Sequence, residues 1–277
     1  MSAFPPWNDR RGCFSWFRLA AFLAILAPAG WIAFEAITRQ LGPRPLTAAI
    51  QETGLWTIRL LFLSLAATPL RAILDWRQPT RIRRMLGLAA LAYAVGHVVL
   101  NVADQRWDLG RAATEIVLRF YLLIGLTALA GLLILGMTSN DAAVRRLGHV
   151  WKQIHKASYA IALLAVFHFF LQSKINATEA TMMAGFLSLL FLYRLLQHRV
   201  ESKALTPAQA GGAAMLGALS TVAIEYAWTT LATGLSGSRI LMAYLAFPAM
   251  IRPAYWVLFS GLGIALLGFG LRLARAR

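Results

Sequence analysis

Long apolar segments, separated by short polar loops, recur along the whole chain and restrict it to one class of protein. Eight such segments of about twenty residues can be counted, and each is long enough for a helix to cross the hydrocarbon core of a bilayer. Of the 277 residues, 59% are hydrophobic and only 14% are charged, whereas soluble domains have about 45–50% apolar and about 25% charged residues. The sequence therefore predicts an all-α, polytopic integral membrane bundle with about eight transmembrane helices.

The predicted spans form a six-helix core followed by a C-terminal pair. The core spans run at about 17–37, 54–73, 85–103, 117–137, 154–171 and 179–197, and the last two at about 208–231 and 254–271. Turn-forming residues between the last two spans, Ser236, Gly237, Ser238, Pro248 and Pro253, favour a short interfacial helix there. We therefore predict a core over residues 1–203 and a C-terminal extension over residues 204–277.

The positive charge of the chain follows the loops and is not gathered in one patch. A net charge of +16 can indicate a nucleic-acid partner when basic residues cluster on one face. Here 18 Lys and Arg fall on one side of the predicted spans, 8 fall on the other, and Arg59 lies inside a span. Because cytoplasmic loops carry the excess of Lys and Arg, we expect both termini in the cytoplasm, the lipid bilayer as partner, and no nucleic acid.

Cysteine content and missing motifs exclude several function classes. Cys13 is the only cysteine, so neither an intramolecular disulfide nor a C-x-x-C-H site for covalent haem attachment can form. The sequence has no G-x-G-x-x-G unit or Walker loop on a strand–helix frame, which argues against a self-contained NADPH oxidase with its own flavin domain. The first apolar run continues past Ala27-Pro28-Ala29, so we expect an uncleaved membrane helix there.

Three histidines within or beside the predicted spans, His97, His155 and His168, are the candidate functional residues. Imidazole inside a membrane is costly and usually functional, and it is a common axial ligand of haem iron. The helical rise places His97 about 18 Å from the cytoplasmic end of its span and His168 about 20 Å beyond His155. His97 and His168 therefore share a depth and suit a b-type haem held between two helices. The alternative is that His155 caps the interface and His168 hydrogen-bonds a neighbouring helix.

Two arginines accompany these histidines. The level on the third span that should match His155 lies fourteen residues before His97. The residue at that position is Arg83. An inner haem would therefore have a weak, unusual or absent second ligand, or Arg83 would pair with a propionate. Arg59 either extends its side chain to the headgroups or is a counter-ion for a propionate. On one continuous helix His155 and His168 would point about 140° apart, unless a bulge or a frayed turn intervenes.

The predicted extension contains one further candidate functional residue. Glu225 falls in the outer part of the seventh predicted span. It could bind a quinol hydroxyl or carry protons, but an ion pair with Arg239 or Arg252 is the simpler explanation for a carboxylate at that depth. We therefore expect the ion pair.

Several motifs lie between about residues 54 and 200: Gly54-x-Trp56-x-x-Arg59, Thr68-Pro69-Leu70-Arg71, Arg-x-Arg-Arg-Met-Leu-Gly-Leu at 81–88, Tyr93-x-x-x-His97, Thr138-Ser139, Arg146-Leu147-Gly148-x-x-Trp151-x-x-Ile154-His155-Lys156, Tyr159 and His168. In these motifs the sequence resembles the MsrQ (YedZ) family of the ferric-reductase-like transmembrane superfamily. Two features depart from the family pattern: Arg119-Phe120-Tyr121 stands where Arg-Pro-Tyr is common, and about seventy residues follow the usual end.

The resemblance implies a haem-binding membrane subunit of the bacterial methionine sulfoxide reductase system, located in the inner membrane. It implies one or two haem b groups, FMN or a quinone as a further cofactor, and electrons supplied by quinol or a cytoplasmic flavin reductase. The implied acceptor is a periplasmic molybdopterin reductase (MsrP-like), so the chain would be an electron-transfer subunit of an oxidoreductase complex. A ferric-reductase-like haem protein with another partner, or a membrane transport or structural protein without haem, is the alternative.

Overall fold

A computed structural model describes residues 5–8, 12–173, 177–199, 204–248 and 251–276. Apart from one isolated bridge between Asn8 and Phe14, the regular structure of these ranges is helical. The twelve helices are α1 (Trp16–Ile37), α2 (Pro45–Leu74), α3 (Gln78–Asp104), α4 (Leu109–Leu118), α5 (Phe120–Met137), α6 (Asp141–Leu147), α7 (His149–Lys156), α8 (Ser158–Ser173), α9 (Thr178–Arg199), α10 (Pro207–Thr233), α11 (Ser238–Leu245) and α12 (Pro253–Ala276).

Seven candidate membrane spans are found in this part of the chain by length and composition. They are α1, α2, α3, α5, the combined segment His149–Ser173, α9 and α12. The eighth predicted span corresponds to α10, which has 27 residues but is rich in alanine, glycine and threonine and is not among the seven. The all-α membrane bundle is thus confirmed, with eight as an approximate count, and α11 occupies the place of the predicted interfacial helix.

The helix α2 begins earlier than its apolar run predicted. It starts at Pro45 and not near Gly54, because proline suits the first position of a helix and the polar residues Gln51 and Glu52 extend the helix beyond the apolar segment. Arg59 therefore lies fourteen residues, about 21 Å, inside the N-terminal end of α2. A helix starting near Gly54, as the sequence predicted, would place Arg59 only about one and a half turns inside its N-terminal end.

A second correction concerns the span predicted at 117–137. The chain there forms two helices, because Arg119 adopts an extended conformation with φ −107° between α4 and α5. Its guanidinium contacts Glu115 at 3.2 Å and donates to the Tyr121 hydroxyl at 2.9 Å. Phe120 is the first residue of α5, so the helix starts at this point without the proline that is common there in the family.

The fifth predicted span is also interrupted. Gly148, with φ +52°, separates α6 from α7 in a conformation that favours glycine. Ala157 then separates α7 from α8. Its backbone N–H donates to the Ile154 carbonyl, three residues earlier in the chain, at 3.0 Å. A break in the helix therefore lies between His155 and His168, at Ala157, where the sequence analysis allowed a bulge or a frayed turn.

The chain divides into two compact units, and the first comprises residues 1–64 and 81–165. Within it the Tyr93 hydroxyl donates to the Ile25 carbonyl at 2.8 Å and accepts from the Ala29 amide at 2.9 Å. These groups flank Pro28, whose ring disturbs the hydrogen-bond ladder of α1. One turn beyond Tyr93, His97 contacts α2, so α3 is held between α1 and α2.

The second unit comprises residues 65–80 and 166–277. Its core is formed where α9, α10 and α12 pack with the end of α2, and includes Ile73, Leu189, Tyr193, Leu205, Ala210, Ala213, Ala214, Val257 and Ala265. Small residues allow this close approach: a Cβ added at Gly185 would lie 2.2 Å from Thr221 Oγ1. The predicted boundary between residues 203 and 204 adjoins residues 200–203, which are outside the described ranges, and stays a prediction.

Candidate functional site

His97 is held on α3 by a hydrogen bond to the backbone of α2. Its Nδ1 lies 2.8 Å from the Ile50 carbonyl oxygen. A carbonyl oxygen only accepts, so Nδ1 must carry the proton, and the lone pair of the neutral ring is on Nε2. Histidines that bind metals usually donate their other ring N–H in this way, which fixes both the tautomer and the ring orientation. This contact therefore fixes the tautomer and the orientation of the half-buried His97 imidazole, and iron ligation by His97 stays a prediction.

Gly54 provides the surface against which this ring packs. A Cβ at Gly54 would lie 3.0 Å from Nδ1 and 3.1 Å from Cε1 of His97. These distances are shorter than ordinary van der Waals contact, so any side chain there would displace the imidazole or the helix. Close packing against His97 therefore explains why glycine stands first in the Gly54-x-Trp56-x-x-Arg59 motif.

Contacts between α2 and α3 define the depth of Arg59. Besides the Ile50–His97 contact, the Ser64 hydroxyl donates to the Arg83 carbonyl at 3.1 Å. Arg59 lies nine residues beyond Ile50 and five before Ser64, which is about 13 Å and about 8 Å along α2. Its guanidinium lies 4.9 Å from the centre of the Trp56 ring. Arg59 is therefore between the level of His97 and the level of Arg83.

His155 is held differently from His97. Its Nε2 lies 3.1 Å from Thr138 Oγ1 at the end of α5. The Trp151 ring stacks on the imidazole with centroids 4.0 Å apart and an interplanar angle of 25°. The Trp151 indole N–H donates to the Thr138 carbonyl at 2.9 Å. One residue of α5 thus contacts two aromatic rings on successive turns of α7.

Arg83 and its neighbour Arg84 extend this region at the start of α3. Arg83 is exposed, and the level shared with His155 that the fourteen-residue offset indicates stays a prediction. Arg84 contacts the Ser139 carbonyl and forms an ion pair with Asp141 at 2.9 Å. The beginning of α3, the end of α5 and the helix α7 therefore meet around His155.

His168 lies on the part of α8 that belongs to the second unit. The residue is half-buried, and two residues further along α8 Phe170 packs on Trp228 of α10 with ring centroids 4.8 Å apart. The pairing of His97 with His168 stays a prediction. In the described ranges no three His, Cys, Asp or Glu residues are grouped so that they could hold a metal ion.

Comparisons with known proteins agree with these features. The family described as "Ferric reductase like transmembrane component" matches residues 53–166. A Rhodospirillum rubrum protein named "Protein-methionine-sulfoxide reductase heme-binding subunit MsrQ" is 38% identical over 190 residues, covering 68% of this chain and 89% of that protein. A protein of the same name from Azospira oryzae is 36% identical, and the match covers 65% of this chain and 78% of that protein. Another, from Xanthomonas campestris pv. campestris, is 39% identical, and the match covers 64% of this chain and 85% of that protein.

The chain belongs to the MsrQ family. The range that matches the ferric-reductase-like component includes Gly54, Arg59, Arg83, His97, Thr138, Trp151 and His155, and His168 follows two residues after it. No solved structure matches the chain.

Sequence reasoning missed three partners of the histidines in this MsrQ-family chain. Thr138 and Trp151 stood in the motifs without a role, and Ile50 contributes only its backbone carbonyl. Thr138-Ser139 beside a predicted helix end was a usable signal, since hydroxyl residues commonly bond groups at such ends. A backbone carbonyl acceptor has no side-chain signature, so the partner of His97 had no signal in the sequence.

Proposed function

We propose that this chain is the haem-binding, electron-transferring membrane subunit of a protein-methionine-sulfoxide reductase system. The observation that carries the proposal is the 2.8 Å contact between His97 Nδ1 and the Ile50 carbonyl. It fixes the tautomer and the ring orientation of an imidazole on a candidate membrane span, with the lone pair of the neutral ring on Nε2. The names of the relatives, which describe a heme-binding subunit, support the same function.

The residues present fit a non-covalently held, b-type haem. Cys13 alone cannot provide covalent attachment, so axial ligands and packing must hold the group. Because the helical rise predicts the same membrane depth for His97 and His168, these two residues are the proposed axial ligands of one haem. When bound, haem supplies a one-electron redox centre.

A second, inner haem is proposed at His155. Arg83 acts on His155 electrostatically and is the candidate for a propionate or for the inner site itself. Arg59, between the levels of His97 and Arg83, is the candidate counter-ion between the two positions. A guanidinium at mid-membrane depth is costly, and a haem propionate would compensate its charge.

The proposed direction of electron transfer is from the cytoplasm to the periplasm of a bacterial inner membrane. His155 with the basic residues around it faces the proposed donor, which is quinol or a cytoplasmic flavin reductase, with FMN or a quinone as an accessory cofactor. The His97 level faces the proposed acceptor, a periplasmic molybdopterin reductase that is MsrP-like. The chain itself would be an electron-transfer subunit and not a complete enzyme.

Absorption spectroscopy of the purified full-length protein tests the proposal. A Soret band with sharp α and β bands after reduction is expected, with one or two haems per chain by pyridine haemochrome assay. Replacing His97 by alanine should remove haem, whereas His198→Ala, at the end of α9, is the matched control. A protein that inserts and folds but shows no Soret band would refute the haem-binding function and favour a transport or structural role without haem.

The donor side requires a separate measurement. A reduced flavin or a quinol should reduce the haem, and NADPH alone should not, since no G-x-G-x-x-G unit stands on a strand–helix frame in these 277 residues. Direct reduction by NADPH without a flavoprotein would contradict the proposed donor.

A further inference from the structure

The Thr138 hydroxyl contacts Nε2, one of the two ring nitrogens through which His155 could bind iron. Its hydroxyl lies 2.8 Å from the Ile134 carbonyl in the preceding turn of α5 and 3.1 Å from His155 Nε2. A hydroxyl has one proton to donate, and a carbonyl oxygen only accepts. The shorter contact therefore takes the Thr138 proton, and the Thr138 oxygen accepts from His155 Nε2–H.

The consequence is a tautomer opposite to that of His97. With the Thr138 proton on the Ile134 carbonyl, His155 carries its proton on Nε2 and its lone pair on Nδ1, whereas His97 carries its proton on Nδ1. If the Thr138 hydroxyl instead turned to donate, it would bond the Nε2 lone pair directly. In either arrangement Nε2 of His155 is engaged by Thr138, so iron can bind there only after this hydrogen bond is broken.

Other contacts keep the His155 ring in this position. Trp151 stacks on one face, and its own N–H is bound to the Thr138 carbonyl. The Ser158 hydroxyl donates to the His155 carbonyl at 2.8 Å, next to the interruption at Ala157. Thr138 thus determines the chemistry of Nε2, while Trp151 limits rotation of the ring away from it.

We propose that Thr138 is a positioning residue that restricts iron ligation by His155 and thereby makes the inner site more weakly ligated than the His97 site. The inference rests on the proposed haem-binding function, but the hydrogen bond can be tested without haem. It assigns Thr138 a role in distinguishing the two candidate haem positions.

The first experiment measures the reactivity of the His155 ring itself. Diethyl pyrocarbonate modifies an imidazole nitrogen that has an available lone pair, and peptide mass spectrometry gives a rate for each histidine of the full-length, haem-depleted protein. Thr138→Val removes the hydroxyl at nearly constant volume, and Thr138→Ser keeps it. Because the wild-type ring keeps a lone pair on Nδ1, the expected change is in modification at Nε2, which should be about tenfold faster in T138V than in the wild type, the effect of one net hydrogen bond. His149, on the same helix, is the internal reference and should not change.

The second experiment measures haem in the same variants. T138V should gain low-spin haem signal that is lost again in the T138V/His155→Ala double variant, while T138S should match the wild type. Retention of the His97-dependent signal shows that the variant is folded, and Thr138→Ala is measured in the same way if T138V fails this control.

The outcomes separate the inference from the proposed function. Equal His155 reactivity and equal haem spectra in T138V and T138S would overturn the role of Thr138, with haem binding still established by the wild-type spectrum. Absence of haem from a folded wild-type protein would overturn the proposed function and, with it, the ligation role of Thr138. A faster modification in T138V would then still establish the Thr138–His155 hydrogen bond.

Discussion

The Nδ1 atom of His97 lies 2.8 Å from the carbonyl oxygen of Ile50, and this contact joins two helices through residues that are 47 positions apart. It brings α2 and α3 into register, places Gly54 against the imidazole, and determines which ring nitrogen has the lone pair. Within the described ranges His155 is held at its other ring nitrogen, Nε2, which lies 3.1 Å from Thr138 Oγ1. The two histidines are therefore expected to differ in their response to substitution.

Alanine variants of the three histidines should separate into two groups. His97→Ala and His168→Ala should each lose the same low-spin haem signal, because each would remove one proposed axial ligand of the same iron. His155→Ala should remove only a second, more weakly ligated haem, or leave the spectrum largely unchanged. Electron paramagnetic resonance of membrane-inserted variants distinguishes these cases. Complete haem loss in His155→Ala with a silent His97→Ala would refute the assignment.

Gly54→Ala should weaken haem binding without removing any ligand. The added Cβ would lie 3.0 Å from His97 Nδ1, so the ring must shift and its hydrogen bond to Ile50 must lengthen. Loss of an orienting partner of this kind typically reduces affinity by about 10–100-fold, which haem titration can measure. Gly30→Ala is the control, since a Cβ there meets nothing within 4 Å. Equal affinities in the two variants would show that the packing against Gly54 has no effect on the ligand.

Gly185→Ala should destabilise the packing of the C-terminal helices. A Cβ at this position would lie 2.2 Å from Thr221 Oγ1 and 2.8 Å from Val257 Cγ2, and overpacking of this kind costs about 1–3 kcal/mol. Gly212→Ala on α10 meets nothing within 4 Å and should be neutral or slightly stabilising, because alanine favours helix. Thermal unfolding in detergent checks both, and similar melting temperatures for the two variants would contradict the packing argument.

Removing the carboxylate of Glu225 should lower stability strongly. Glu225 forms an ion pair with Arg252 and accepts from the Tyr244 hydroxyl, and the side chains of the pair are only 7% and 16% exposed. Glu225→Ala would leave the Arg252 charge poorly compensated, at a cost of about 3–5 kcal/mol, or on the order of 10 °C in melting temperature. Asp75→Asn breaks the exposed Arg275–Asp75 pair and should cost at most about 1 kcal/mol. Comparable shifts in the two variants would contradict the buried role of Glu225.

Tyr244 should make the extension sensitive to alkaline pH. Burial, and then the hydrogen bond to Glu225, raise the pKa of the Tyr244 phenol above its usual value. The stabilisation is therefore complete below the unfolded-state pKa of about 10 and is lost as pH rises through the folded-state pKa. The wild-type melting temperature should fall more steeply above pH 10 than that of Tyr244→Phe. Parallel pH profiles would show that ionisation of Tyr244 does not contribute.

The ion pair of Glu225 illustrates what the sequence could predict in part. The cost of an uncompensated carboxylate at membrane depth predicted a basic partner, with Arg239 and Arg252 as equal candidates. The structure assigns Arg252, because α11 turns the Tyr244 side chain and the start of α12 towards α10. Choosing between two arginines required the path of the connecting segment, which composition does not describe.

Properties that depend on short stretches of neighbouring residues, such as apolar length and spacing, were determined by the sequence alone. Apolar length specified the helical membrane class and most of the spans, and the spacing of His97, Arg83 and His155 indicated a common level for the last two residues. The start of α2 at Pro45, the breaks at Arg119 and Ala157, and the resulting depth of Arg59 were decided only in the structure. So were the opposite ring nitrogens that His97 and His155 engage. A ring tautomer depends on which group of another helix stands within about 3 Å, and that follows from the register between helices, which no local pattern contains.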